Sequence, residues 1–436
     1  MKLRKVDIIS TEFIKPISPT PYHLRCLDFS ILDQLSPLMT VPFILYYPLP
    51  KELDLQHAKA TNLSRLLLLK KSLSQTLARF YPFAGRINRD YTSINCNDNG
   101  VPFSEAFAHD YHLDEILEQP NSFMKLLRRF LPYEESLLSP TIPMLVQVTF
   151  FECGGMTIGI CASHKITDAP TLNTLINGWA IAARRNPKAK ILEFVPTAKF
   201  LPPVDNNQPQ LLFLQPEKVN NVTKIFFFDA SCIASLKAKT VSDSVLVPTR
   251  VEALSALIWK CAMATLSSKK EKSSLLVHTV NLRKRLVVPL PSDCMGNAIA
   301  LFKSIYKEND TMDLPGLVTL LRKGLLEFRD KYENKCRGHE VILGMVNDAK
   351  EIGAHIKRDD MEMYNFTSWC RFQFYDADFG WGSPSWVSRI EFEAKNHVLF
   401  IDTKSGGGIE AWVSLDKALM EIFEQDIELL NGCGVL

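Results

Sequence analysis

Apolar positions along the chain fall into short continuous runs and into longer segments in which they recur every three or four residues. The first pattern predicts strands and the second predicts helices. The run PFILYYP at 42–48 is β-branched, aromatic and bounded by prolines, and TKIFFFD at 223–229 is similar, so each predicts a strand. The runs at 142–152 and 156–163 are separated by Cys-Gly-Gly, which predicts a β-hairpin.

Two longer segments carry the helical spacing. The first lies within 60–82 and is ended by Pro82 and Gly85. Its predicted buried positions are Leu66, Leu69, Leu73, Leu77 and Phe80. The second, 251–266, predicts an amphipathic helix whose apolar side contains Leu254, Leu257, Ile258 and Cys261. Strands and helices alternate along the chain, which is typical of an α/β protein.

The stretch SHKITDAP at 163–170 carries the first candidate chemistry. It follows the apolar run TIGICA and precedes a predicted helix from 170 to about 185, in which Pro170 suits the first position. His164 is therefore predicted at a strand end, in a strand-to-helix turn, where α/β proteins bind ligands. A neutral imidazole there could accept a proton near pH 7, with Asp168 four residues further on.

The spacing of His164 and Asp168 alone is equally compatible with an ordinary turn. With nine histidines, a chain of usual composition is expected to contain about 0.5 accidental matches to H-x-x-x-D. A second match, His355 to Asp359, lies in a charged stretch and is interpreted as solvated surface. A metal site is a third interpretation, but no third ligand with suitable spacing lies near His164, so no metal is predicted.

Composition and charge exclude several classes of partner. A length of 436 residues favours two domains. A net charge of +2 argues against nucleic acid or an anionic membrane as the main partner. No run approaches the roughly 18 apolar residues of a membrane span, and the N-terminus lacks the apolar core of a signal peptide. The ten scattered cysteines predict reduced thiols, and hence a cytoplasmic protein.

A second motif, Asp-Phe-Gly-Trp-Gly at 378–382, specifies five residues. Together with SHKITDAPTLNTLINGWA, about half a chain earlier, it resembles the plant BAHD acyltransferases. Family-like segments lie in family order at 18–34, 72–87, 95–106, 251–260, 281–285, 295–297, 366–372 and 406–412. Within the family, the chain is most similar to the alkaloid and alcohol O-acetyltransferases.

The resemblance implies two similar α/β domains of the chloramphenicol-acetyltransferase type, with mixed sheets, a long crossover loop and an active-site channel between them. The N-terminal domain is expected over 1–195, with a swapped segment near 362–382. The C-terminal domain is expected over 219–436. The segment 196–218 between them has five prolines and two consecutive asparagines, which also predicts a linker.

The resemblance also implies roles for individual residues. His164 would be the general base, and Asp168 would pair with Arg283, with Arg285 as a substitute. Thr367 and Trp369 would support the oxyanion, and Asp378, Gly380, Trp381 and Gly382 would form a structural loop. Ser383 departs from the Lys or Arg that relatives often carry before Pro384. Thr249 and Ser255 could contact coenzyme A, but helix capping and helix surface explain them equally well.

The implied activity is transfer of acetyl from acetyl-CoA to a hydroxyl of an alkaloid, terpenoid or other hydrophobic alcohol. No cofactor would be bound permanently, and the protein is expected to be a monomer. Three alternatives stay open: an amine acceptor, a malonyl or longer acyl donor, and a non-catalytic ligand-binding role. A serine hydrolase and a dinucleotide enzyme are disfavoured, because neither G-x-S-x-G nor a suitable G-x-G-x-x-G occurs.

Overall fold

The structure is a computed structural model of the chain, and it describes residues 5–49, 55–132, 139–184, 194–203, 220–266, 273–291, 293–307, 310, 312–335, 339–356, 358, 360–392 and 394–431. The chain divides into two compact units. The first comprises Met1–Gln210, Pro291–Ala298 and Phe372–Ile390. The second comprises Leu211–Leu290, Ile299–Arg371 and Glu391–Leu436. Of the described helices, none has both the length and the apolar character needed to cross a membrane.

The described strands are, in chain order, β1 (Lys5–Ile14), β2 (Cys26–Asp28), β3 (Thr40–Tyr47), β4 (Arg86–Ile87), β5 (Ser93–Asn95), β6 (Val101–His109), β7 (Met144–Phe151), β8 (Met156–Ser163), β9 (Val195–Pro196), β10 (Asn221–Phe228), β11 (Ser273–Asn281), β12 (Cys294–Met295), β13 (Ile299–Tyr306), β14 (Met361–Ser368), β15 (Trp386–Ser388), β16 (His397–Asp402) and β17 (Ile409–Asp416). The described helices are α1 (Ile31–Leu35), α2 (Leu55–Leu77), α3 (Leu113–Glu118), α4 (Pro120–Phe123), α5 (Ala169–Arg184), α6 (Ala230–Lys239), α7 (Arg250–Ala264), α8 (Leu314–Arg329), α9 (His339–Ile356), α10 (Lys417–Phe423) and α11 (Ile427–Leu430).

A six-stranded mixed sheet forms the centre of the first unit, in the order β1-β6-β7-β8-β3-β15. Strands β6 and β7 are parallel, and the other neighbours are antiparallel. The predicted hairpin is confirmed, because β7 pairs with β8 and Gly154 in their turn has a φ of +80°. Every residue of these two strands is buried, as their continuous apolar runs require.

Helices α2 and α5 pack together in the first unit. The helix predicted within 60–82 is confirmed as α2, but it ends at Leu77, and Pro82 lies in a 3₁₀ turn that follows. A proline bars a helix from continuing past it but does not fix where the helix stops. The predicted core leucines and Phe80 are buried. Trp179 of α5 donates from Nε1 to the carbonyl oxygen of Leu69 at 3.2 Å and to Oγ of Ser72 at 3.0 Å. This packing fixes the helix that begins directly after β8 and its turn.

The second unit is built on another six-stranded mixed sheet, in the order β10-β17-β16-β14-β11-β13. Strand β14 is parallel to β11 and β16, and the remaining pairs are antiparallel. The strand predicted at 223–229 and the helix predicted at 251–266 are confirmed as β10 and α7. The predicted apolar side of α7 is buried, and Trp259 donates to Oγ of Ser274 at 2.8 Å. The α/β class with mixed sheets is therefore confirmed.

The predicted domain boundaries stay predictions. Residues 204–218 of the predicted linker lie outside the described residues. The first residues of the predicted linker have regular structure. Pro196 belongs to β9, which pairs in parallel with β12, and a 3₁₀ turn follows at Thr197–Lys199. The predicted swapped segment near 362–382 overlaps Phe372–Ile390 of the first unit, while its earlier residues belong to the second unit.

Candidate active site

The residues from His164 to Asp168 form the turn between β8 and α5, as the sequence predicts. The backbone N–H of His164 donates to the carbonyl oxygen of Met39 at 2.8 Å, which holds the residue at the end of its strand. Asp168 caps α5, because its Oδ1 accepts from the N–H of Thr171 at 2.9 Å. His164 is half-buried and Asp168 is only 2% exposed. Of the two side chains, the imidazole is therefore the one that a substrate can reach.

The ring of His164 contacts an asparagine from a distant part of the sequence. Its Nδ1 lies 3.1 Å from Oδ1 of Asn297, and Nδ2 of Asn297 donates to the carbonyl oxygen of His164 at 2.7 Å. Asn297 is buried and belongs to the segment Pro291–Ala298 of the first unit. Sequence reasoning misses this residue, because only the family-like Met-Gly-Asn at 295–297 marks it and no spacing links it to position 164.

The carboxylate of Asp168 joins two backbone segments of the first unit. Besides capping α5 through Oδ1, it accepts from the N–H of Ala298 through Oδ2 at 3.0 Å. These contacts tie the start of α5 to the residue that follows Asn297. Arg283, its predicted partner, belongs to the second unit, is 3% exposed and lies 3.4 Å through Nη1 from Oδ1 of Asn281. The pairing of Asp168 with Arg283 stays a prediction.

Burial lowers the pKa of His164 below its usual value, and the positive charge of Arg389 lowers it further, whereas the negative charge of Asp168 and the hydrogen bond to Asn297 oppose the shift. The neutral ring, which is the form able to accept a proton, is therefore present at lower pH than in an ordinary histidine.

We expect the acid limb of the kcat/KM profile to have its midpoint below about 6.5, the usual pKa of histidine. Initial rates of thiol release across a pH series check this. A midpoint clearly above that value contradicts a buried neutral base.

The Asp-Phe-Gly-Trp-Gly motif forms a loop that is closed by its own aspartate. Oδ1 of Asp378 accepts from the N–H groups of Gly380 at 2.8 Å and Gly382 at 2.9 Å. Both glycines have positive φ angles, +114° and +98°, which residues with a Cβ rarely adopt. The loop residue Phe379 is fully buried, and Trp381 stacks on it at 5.7 Å. A backbone role for the motif is therefore consistent with the geometry.

This loop packs against the helix that follows the histidine turn. The ring centroid of Phe379 lies 5.1 Å from that of Trp179 in α5, and Nη1 of Arg184, at the end of α5, lies 3.8 Å from Oδ2 of Asp378. Tyr47 of β3 donates from its hydroxyl to the carbonyl oxygen of Ala377 at 2.7 Å. The motif thus supports α5 and leaves Ser383 exposed beside it.

The other residues singled out by the resemblance lie in the second unit. Thr367 is near the end of β14, opposite Leu399 of β16, and the N–H of Trp369 donates to the carbonyl oxygen of Phe400 at 2.8 Å. Trp369 is buried. The backbone of this segment is therefore held by the sheet, while its proposed support of an oxyanion stays a prediction.

Thr249 and Ser255 occupy different environments on α7. The capping interpretation of Thr249 is confirmed, because its Oγ1 accepts from the N–H of Glu252 at 3.2 Å and Glu252 accepts from the N–H of Thr249 at 2.8 Å. The surface interpretation of Ser255 is wrong, since the residue is 1% exposed on the side of α7 that faces the core. Its hydroxyl finds no hydrogen-bond partner among the described residues.

Two further groupings carry no chemistry that we assign. Cys261, Asp426 and Glu428 bring possible ligand atoms within 4.8 Å of one another, an arrangement that sequence spacing does not reveal. Burial and the two acidic neighbours raise the pKa of the Cys261 thiol, which disfavours the thiolate that a metal would need.

The second H-x-x-x-D match begins at His355, which is half-buried in the last turn of α9, with Nε2 3.9 Å from Oε1 of Glu351. Asp359 lies outside the described residues.

Comparison with known proteins relates almost the whole chain to one family. The model of the family described as "Transferase family" matches residues 4–430. A limonoid 7-O-acetyltransferase of Citrus sinensis is 37% identical, with coverage of 97% of each chain. Vinorine synthase of Rauvolfia serpentina is 36% identical over 98% of this chain and 97% of its own. The crystal structure of vinorine synthase superimposes with a TM-score of 0.82 at 34% identity, covering 99% of both chains.

Proposed function

This chain belongs to the BAHD family of acyl-CoA-dependent acyltransferases, and we propose that it transfers acetyl from acetyl-CoA to a hydroxyl group of a hydrophobic plant metabolite, an alkaloid or a terpenoid. The observation that carries the proposal is the half-buried His164, held at the end of β8 with its Nδ1 3.1 Å from Oδ1 of Asn297. Relatives named as O-acetyltransferases of a limonoid and of stemmadenine support an oxygen acceptor and an acetyl donor.

In the proposed reaction, Nε2 of His164 accepts the proton of the acceptor hydroxyl while its oxygen attacks the thioester carbonyl carbon. The new carbon–oxygen bond places negative charge on the carbonyl oxygen, which donors near Thr367 and Trp369 are proposed to stabilise. The carbon–sulfur bond then breaks, and the proton on Nε2 passes to the departing thiolate. The products are an acetyl ester, free coenzyme A and a neutral histidine, so no cysteine has to act as a nucleophile.

Other parts of the proposal rest on the resemblance and on local contacts. Thr249 and Ser255 are proposed to lie near coenzyme A, as the resemblance implies. The protein is also proposed to act as a monomer. A cytosolic location is supported by the eight described cysteines, which are all free thiols, as a reducing compartment maintains them.

The test is incubation of the purified protein with acetyl-CoA and an extract of plant metabolites, followed by mass spectrometry. We expect products heavier by one acetyl group, and we expect them to be missing when His164→Ala replaces the wild-type protein. Release of free coenzyme A should match the acetylated product in amount. Wild-type protein that yields no acetylated product from an alkaloid- and terpenoid-rich extract contradicts the proposal.

Matched substrate panels separate the alternatives within the family. Paired alcohols and amines of the same carbon skeleton decide between ester and amide formation. Acetyl-CoA, malonyl-CoA and a longer acyl-CoA decide the donor, since few side chains can change such a preference. A non-catalytic role would show as ligand binding without thiol release in every arm.

A further inference from the structure

A buried aspartate, Asp33, lies behind the asparagine that contacts His164. It is 4% exposed and sits in the short helix α1 of the first unit. Its Oδ1 accepts from both the N–H and Nδ2 of Asn297, at 2.7 and 2.8 Å. Its Oδ2 accepts from Oγ of Ser30 at 2.6 Å, from the N–H of Ser30 at 3.1 Å and from Oγ1 of Thr197 at 3.1 Å. A capping role toward Ser30 does not require the three donors from Asn297 and Thr197.

The orientation of the Asn297 amide follows from whether each of its partners donates or accepts hydrogen bonds. Its Nδ2 faces a carboxylate oxygen of Asp33 and the carbonyl oxygen of His164, and a carboxylate and a carbonyl can only accept hydrogen bonds. Both amide hydrogens are therefore used on that side, and the amide oxygen must face the imidazole. An oxygen that only accepts requires a proton on Nδ1 of His164, 3.1 Å away. The lone pair is then on Nε2.

The backbone on both sides of Asn297 is also held. Gly296 has a φ of +108°, and a Cβ at this position would collide with Oγ1 of Thr197. The N–H of Gly296 donates to Oγ1 of Thr171 at 3.1 Å, while Asp168 accepts from the N–H of Ala298. The asparagine therefore has little freedom to turn its amide, whose NH₂ group faces acceptor oxygens of Asp33 and His164.

We propose that Asp33 is a positioning residue for His164: through Asn297 it holds the imidazole in the form with the proton on Nδ1 and the lone pair on Nε2. The proposal rests on the proposed role of His164 as the base. Without Asp33, the amide can reverse and present its NH₂ group to the ring, which favours the opposite tautomer. That tautomer carries a proton on Nε2 and cannot accept one from a hydroxyl.

The first test measures the tautomer directly, without any substrate. The protein is labelled with ¹⁵N-histidine, and the His164 ring signals are identified by their loss in His164→Gln. We expect the wild-type protein at neutral pH to show a protonated Nδ1 and an unprotonated Nε2, and Asp33→Asn and Asn297→Leu to show a mixture or the reverse. A wild-type ring protonated on Nε2 overturns the proposal, whatever the enzyme's acceptor proves to be.

The second test separates positioning from a purely structural role. In Asp33→Asn, kcat should fall between about 10-fold and 10³-fold, less than the roughly 10⁴-fold seen when the aspartate directly contacting a catalytic histidine is replaced. The KM for acetyl-CoA should change little. Asp313→Asn, which alters an exposed capping aspartate of α8, is the matched control and should retain wild-type kcat.

Two outcomes of this comparison overturn the proposal. One is a folded Asp33→Asn protein that keeps the wild-type tautomer and kcat while losing only thermal stability, as a simple cap would. The other applies if Asp33→Asn does not fold: Asn297→Leu then carries the test, and a wild-type tautomer in that variant shows that the asparagine imposes nothing on the ring. Absence of acetyl transfer by the wild-type protein would contradict the proposed function but would leave the tautomer measurement valid.

Discussion

Replacing His164 with alanine is expected to lower kcat for acetyl transfer by about 10²–10⁴-fold, the usual contribution of a general base. An alcohol at neutral pH is a poor nucleophile, and the half-buried imidazole at the end of β8 is the group placed to take its proton. The KM for acetyl-CoA should change much less than kcat, because the ring acts on the reacting hydroxyl. Steady-state thiol release with the acceptor found in the extract screen provides the measurement.

The chain offers a matched control for this substitution. His355 has the same four-residue spacing to an aspartate but lies in the last turn of α9, beside Glu351. His355→Ala should keep kcat within a few-fold of wild type. An equal fall in kcat for His164→Ala and His355→Ala would point to a general effect of removing a histidine. A well-folded His164→Ala protein with nearly full activity would refute the role assigned to the ring.

What the sequence predicts well is local. The strand, turn and helix around His164 are confirmed because their signals lie within neighbouring residues: an apolar run, a proline at the helix start and apolar positions every three or four residues. The hairpin of β7 and β8 is confirmed for the same reason. The sequence predicts that α2 ends at Pro82, whereas it ends at Leu77, since a proline marks where a helix cannot continue and not where it stops.

What the sequence does not predict depends on contacts between distant segments. Asp33 and Asn297 are 264 positions apart and meet only after the segment Pro291–Ala298 joins the first unit. The parallel pairing of β6 with β7 likewise leaves no local pattern. The sequence leaves a surface interpretation of Ser255 open, because helical spacing alone does not show how much of α7 is covered by other elements. Family resemblance marks such segments as similar to those of relatives, but it does not state which atoms touch.

Asp168→Ala should damage the fold as well as the chemistry. The substitution removes the cap of α5, worth about 1 kcal/mol, and leaves the buried N–H of Ala298 without its described partner, which costs about 1–3 kcal/mol. We therefore expect the free energy of unfolding to fall by about 2–4 kcal/mol. Because Ala298 directly follows Asn297, kcat should fall too. Thermal and urea unfolding, measured alongside kcat, provide the check.

Two comparisons show whether the carboxylate of Asp168 acts through structure or through proton transfer. Asp168→Asn keeps the shape and one acceptor for the cap, so it should lie between wild type and Asp168→Ala in both stability and kcat. Asp313→Ala removes an exposed cap from α8 and should lower stability without lowering kcat. An Asp168→Ala protein with wild-type melting and a displaced acid limb in its kcat/KM profile would mean instead that the aspartate tunes the histidine directly. The two hydrogen bonds that Asp168 accepts from backbone N–H groups favour the structural outcome, because each holds a segment that positions the ring.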